Sequence, residues 1–163
     1  MRDQVYKTCQ SCFFHLRRLR SIRKLLGRDV TIQLVCALVL SRLDYCNSVY
    51  AGLPAATLAP LQRVLHAAAR LVNDLKTSDH VTSALMDLHW LPIKQRVEYK
   101  LCCHVHNVSI GHAPVYISDM LTACADVPSF SRLRTSSSGN YVIPRTRLKL
   151  GERAFAVSAP LAW

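Results

Sequence analysis

Acidic residues are scarce in this chain: 10 of 163 residues are Asp or Glu, against 21 Lys or Arg. The ten stand as isolated singles, with no Asp-Asp, Asp-x-Asp or Asp-x-Glu. Two-metal polymerases and nucleases need clustered carboxylates, so no such centre is written in these residues. Glycine is also sparse, at five residues, and neither a Gly-rich phosphate loop nor a G-x-S-x-G elbow is present. Seven cysteines, at 9, 12, 36, 46, 102, 103 and 124, lack the regular spacing of a disulfide framework and point to a reducing compartment. The first residues, MRDQVYKTCQ, hold no apolar signal-peptide core, and the most apolar run, Val30 to Leu40, is about half a membrane span. An intracellular protein of nucleus or cytoplasm, without a membrane partner or a small-molecule substrate, is the expectation.

Hydrophobic residues make up 50% of the chain and charged residues 19%, which is a globular balance and not that of a disordered chain. The charge is concentrated at the two ends. Residues 1–28 carry eight Lys/Arg and one acid, net +7; residues 29–126 carry seven and eight, net −1; residues 127–163 carry six and one, net +5. A near-neutral body with basic ends suits contact with a polyanion.

Helical periodicity dominates the body. Val5, Cys9, Cys12, Leu16, Leu19 and Leu26 recur at helical spacing over residues 3–26, with Gly27 as a stop. Arg17, Arg20 and Lys24 line up beside that face at i, i+3 and i+7, while Arg18, Arg23 and Arg28 broaden the charge around the helix end. A second, nearly all-apolar helix runs from Asp29 or Thr31 toward Asp44, and Gly52-Leu53-Pro54 breaks the chain. The third is cleanly amphipathic, with Thr57 as the expected N-cap, Pro60 in its first turn, and Leu58, Leu61, Val64, Leu65, Ala68, Leu71, Val72 and Leu75 on one face. A short helix over Thr82–Leu88 follows. Another starts at Pro92, with Ile93, Val97, Leu101, Val105 and Val108 inward, ends at Gly111, and gives way to one from Pro114 to about Thr122.

From Val127 the composition turns to Ser, Arg and short β-prone runs. Ser136–Asn140 reads as a loop; Tyr141–Ile143, Leu148–Leu150 and Ala154–Val157 read as short strands. Arg132, Arg134, Arg145, Arg147, Lys149 and Arg153 give this tail its charge, with Tyr141 or Phe155 interleaved.

Other chemistry is weakly signalled. Asp44-Tyr45 is the nearest approach to a polymerase-like acid and reads as the end of a packed helix. Cys9-x-x-Cys12 lies in an apolar stripe, and Cys102-Cys103-His104-x-His106 lacks a usual zinc spacing, so no metal is assigned. The histidines carry no triad spacing, and no catalytic residue and no cofactor is expected.

Five segments go further. SRLDYCNSVYAGLP (41–54), LQRVLHAAARLV (61–72), DHVTSALMDLHWLPIKQRVEYKL (79–101), APVYISDML (113–121) and PRTRLKLGERAFAVSAPLAW (144–163) resemble, in order, the region downstream of the catalytic domain in jockey-like non-LTR (LINE) retrotransposon reverse transcriptases. The resemblance implies an RNA-directed DNA polymerase as the parent, with its palm and its aromatic-x-Asp-Asp motif upstream of Met1 and an endonuclease further upstream. The chain then reads as a truncated, non-catalytic fragment: a thumb-like helical domain over 1–126 and a basic tail over 127–163. The expected fold is mainly α, a bundle of about five to six helices with a small β-containing tail. The residues expected to contact nucleic acid are Arg17, Arg20, Arg23, Lys24, Arg28, Arg145, Arg147, Lys149 and Arg153. The partners implied are an RNA or DNA template-primer and the missing palm; a helical protein-interaction module, or a pseudogene remnant without autonomous function, stands as the alternative.

Overall fold

The first apolar stripe forms the helix it predicts. In the computed structural model, which describes residues 1–129 and 139–163, α1 spans Arg2–Ile22 and buries Val5, Cys9, Cys12, Leu16 and Leu19. A 3-10 turn over Arg23–Leu25 continues it, and Leu26 is extended. Gly27 therefore serves as the N-cap of the next helix, α2 (Arg28–Val35), where the Thr31 hydroxyl donates to its carbonyl at 2.9 Å.

The chain divides into two compact units, Met1–Arg96 and Val97–Trp163. In the first, α2 passes through a π-helical turn, Cys36–Leu40, into α3 (Ser41–Asp44). The spacing of the apolar run predicts one plain helix, and the widened turn leaves no trace in that spacing. Here the Ala37 and Leu38 carbonyls accept from Ser41 Oγ and Arg42 Nη1, and the Cys12 thiol lies 3.9 Å from the Val39 carbonyl. Three successive carbonyls beside the irregular turn thus have side-chain donors.

α4 (Ala55–Asn73) is the centre of this unit. Leu61, Val64, Leu65, Ala68, Ala69 and Val72 are completely buried in it, and α1 packs along it. It begins earlier than Thr57, with Pro54 accepting from the Thr57 and Leu58 N–H groups. Pro60 accordingly stands inside the helix and not in its first turn. Asp74 adopts a left-handed conformation, φ 52°, and ends the helix. A short helix, α5 (Thr82–Asp87), packs on α4 and contributes Ala84 and Leu85 to the core, with Trp90 buried after it.

α6 (Ile93–Ser109) starts in the first unit and continues into the second. Ile93, Val97, Leu101 and Val105 are buried as the spacing requires, while Val108 is half-buried. Gly111, at φ 72°, follows its end, and Pro114 N-caps α7 (Val115–Ser118), which is shorter than the segment to Thr122 that the sequence suggests.

The fold is mainly helical, and the tail differs from expectation in detail. Among the described residues there is no strand. Tyr141 forms one isolated antiparallel bridge with Ala123, flanked by backbone bonds from Cys124 N to the Asn140 carbonyl (2.9 Å) and from Val142 N to the Thr122 carbonyl (2.8 Å). Leu148–Leu150 is a turn, and Ala154–Val157 leads into α8 (Phe155–Ala162). Phe and Val suggest a strand there, but the four alanines of AFAVSAPLA favour the helix and outweigh them. Arg132, Arg134 and most of the expected Ser136–Asn140 loop lie outside the described residues.

Candidate nucleic-acid interface

The interface is best built from α1. At 100° per residue, its buried residues occupy an arc of about 80°, and Arg17 and Arg20 flank that arc on the side of Cys9. Both are exposed, as is Lys24 in the 3-10 turn that follows. None of the three forms a side-chain hydrogen bond or ion pair within the described residues. Three cations are therefore held in a row by a helix whose other face is locked into the core. Arg63 of α4 is exposed on the same side, near enough to Cys9 to oppose the upward push of burial on that thiol.

Arg23 and Arg28 have different employment. The Arg23 guanidinium donates from Nε to the Leu71 carbonyl and from Nη2 to the Val72 carbonyl, each at 3.0 Å. These carbonyls belong to the last turn of α4, where no further N–H of the helix can reach them. A cation at that end also meets the negative pole of the helix. Arg28 extends the arrangement, with Nε and Nη2 lying 3.4 and 3.3 Å from Asn73 Oδ1. The sequence places all five cations together. The structure separates an outward trio from a pair at the end of α4, Arg23 on its last carbonyls and Arg28 on the Asn73 side chain.

In the second unit, Arg145, Arg147 and Lys149 are exposed within a continuous exposed run, Ile143–Leu150. Arg153 is half-buried and engaged with neighbouring groups. Tyr141 and Phe155 are both half-buried; Phe155 meets the His104 ring edge-on, with centroids 6.1 Å apart. That contact occupies Phe155 within the fold.

Sequence reading passed over two aromatics on α1. Tyr6 is 64% exposed and Phe13 38% exposed, and both lie on the edge that carries Arg17 and Arg20. The signal was available, since Tyr6 and Phe13 are seven residues apart and Phe13 and Arg17 four. Phe14, also exposed, is turned toward Arg18, whose guanidinium sits 5.6 Å from its ring centroid.

Asp44, the acid most suggestive of catalysis, is tied down. Its carboxylate accepts two bonds from Arg96, at 2.8 Å from Nε and 2.6 Å from Nη2, in a bidentate pair. Asn47 Nδ2 lies 3.4 Å from the same carboxylate. Among the described residues, no group of three or more His, Cys, Asp or Glu is arranged to hold a metal ion. Cys12 is buried, and its thiol is pushed up to about 11 by that burial and by Cys9 beside it, against the pull of Arg42. No cysteine is in a disulfide.

Comparison of the chain with protein-family models, with curated proteins and with solved structures gives no match. Assignment of a function therefore rests on the residues and their geometry. No helix among the described residues is long and apolar enough to cross a membrane.

Proposed function

We propose that the chain is the thumb-like helical region and C-terminal extension of a jockey-like non-LTR retrotransposon reverse transcriptase, and that it grips the backbone of RNA or DNA without performing chemistry of its own. Five ordered segments resembling that family support the ancestry. The observation that carries the binding role is the row of Arg17, Arg20 and Lys24, exposed on α1 and the turn that continues it, with no side-chain partner among the described residues. Exposed cations in a fixed row release condensed counterions when they meet phosphates, so affinity falls steeply with salt. Such contacts hold a strand in register but read no base sequence. The exposed tail cations Arg145, Arg147 and Lys149 offer a second phosphate-compatible surface.

The test is fluorescence anisotropy of the full chain with a labelled DNA duplex and an RNA–DNA hybrid at rising salt. The charge-reversed variant R17E/R20E/K24E should bind more weakly at every salt concentration. Its plot of log affinity against log salt should be shallower by about 2.7 if each cation meets one phosphate. Absent or salt-insensitive binding by the unmodified chain, or equal binding by the variant, refutes the proposal.

A further inference from the structure

Residues exposed on the α1 edge offer two chemistries, aromatic toward its start and cationic toward its end. Tyr6, Phe13, Arg17 and Arg20 fall within an arc of about 60°, and Lys24 continues the row in the next turn. Tyr6 and Phe13 are open to solvent, and no ring or cation packs on either of their faces among the described residues. The two aromatic rings stand just outside the buried arc of α1, beside the cationic row, and neither is among the residues that the helix buries. Along the axis the rings are about 10 Å apart, roughly three base-to-base steps, and the guanidinium groups follow within about one to two further helical turns.

We infer that this edge is a platform for single-stranded nucleic acid, in which Tyr6 and Phe13 stack on unpaired bases while Arg17, Arg20 and Lys24 hold the adjoining phosphates. The inference rests on the proposed backbone binding and adds to it a class of ligand, a strand whose bases are free to leave the stack. In a duplex the π-faces are covered by neighbouring bases, so the rings can contribute only where the strand is unpaired. Aromatic stacking tolerates every base, and binding should show little sequence preference.

The experiment compares two labelled strands of about twelve nucleotides, one of oligothymidine and one of abasic sites with the same backbone charge. The unmodified chain should bind the base-bearing strand about tenfold more tightly or better, the scale of one stacked base. The variant Y6A/F13A, with both changes at exposed positions, should retain its far-UV circular dichroism, bind the two strands equally, and keep the unmodified salt slope on duplex DNA. Equal affinity of the unmodified chain for both strands overturns the platform, as does a base-dependent advantage that survives in Y6A/F13A. If R17E/R20E/K24E nevertheless weakens binding in that case, the backbone reading stands alone. If the unmodified chain binds neither strand nor duplex, both fall together.

Discussion

Replacing Arg23 by Ala should destabilise the protein while leaving its electrostatic grip on nucleic acid almost unchanged. The guanidinium supplies two charge-assisted hydrogen bonds, each 3.0 Å, to the Leu71 and Val72 carbonyls. Bonds of this kind contribute about 1.5 to 3 kcal/mol each when well shielded. Arg23 is only half-buried, and water can reach the exposed carbonyls once the side chain is gone, so each bond is discounted to about 1 kcal/mol and the two together are worth about 2 kcal/mol. For a chain of this length that corresponds to a fall in Tm of about 4 to 8 °C. Arg20→Ala, at an exposed position with no side-chain partner among the described residues, should change stability by less than about 0.5 kcal/mol. Urea unfolding followed by far-UV circular dichroism measures both, and Arg23→Lys, which can reach only one carbonyl at a time, should fall between. If Arg23→Ala and Arg20→Ala unfold at the same urea concentration, the capping role is refuted and Arg23 joins the outward cations.

The Asp44–Arg96 pair should show a coupling of about 1 to 2 kcal/mol in a double-mutant cycle of D44A and R96A, between the values of exposed and buried pairs, since Arg96 is 16% and Asp44 41% exposed. Leu61→Ala, at a completely buried position in α4, should cost about 2 to 5 kcal/mol in the same unfolding assay. His66 supplies a pH response. Gln62 Oε1 accepts from the Ile93 N–H at 2.9 Å, which turns its amide nitrogen toward His66 Nε2 at 2.7 Å and requires that nitrogen to be an unprotonated acceptor. Burial, and then Arg70, hold the His66 pKa below its usual value. The folded state thus binds this proton less readily than the unfolded state, so the contribution is complete above about pH 6.5 and is lost as pH falls below it. Melting curves between about pH 7 and pH 5 should show this decline, and it should be smaller in H66Q. Ellman titration of the native protein should label the exposed Cys46 quickly and reach the buried Cys9 and Cys12 only after unfolding.

Much of the body was legible because α1, α4 and α6 each bury one stripe, and a stripe is written at a fixed spacing. The five buried residues of α1 and most of those of α4 are the ones that the period selects. Contacts between distant residues leave no such trace. Arg23 is 48 residues from Leu71, and Arg96 is 52 from Asp44, so capping and pairing become visible only when the helices are in place. The tail misled for a different reason: in a segment as short as Ala154–Val157, two apolar side chains fit either period, and the alanines decide. On the candidate interface, spacing found the cationic row, but attention to charge alone hid Tyr6 and Phe13 in the same row.

The π-helical turn at Cys36–Leu40 makes the chain unequally tolerant of changes in its own length. A turn closed by bonds to the fifth residue contains one residue more than an α-helical turn. Deleting one of these five residues would let the turn close as a regular α-helical one and leave the flanking segments facing as they do now, whereas the same deletion in α4 would rotate everything beyond it by about 100°. The Asp44 carboxylate would stay opposite Arg96, and Leu43 would stay buried. A one-residue gap in the polar connector Lys76–His80 would merely shorten a loop. Within a regular helix such as α4 the same gap acts as a conformational frameshift, so among descendants of one ancestral gene one-residue gaps should collect in Cys36–Leu40 and in the connector and be absent from α4.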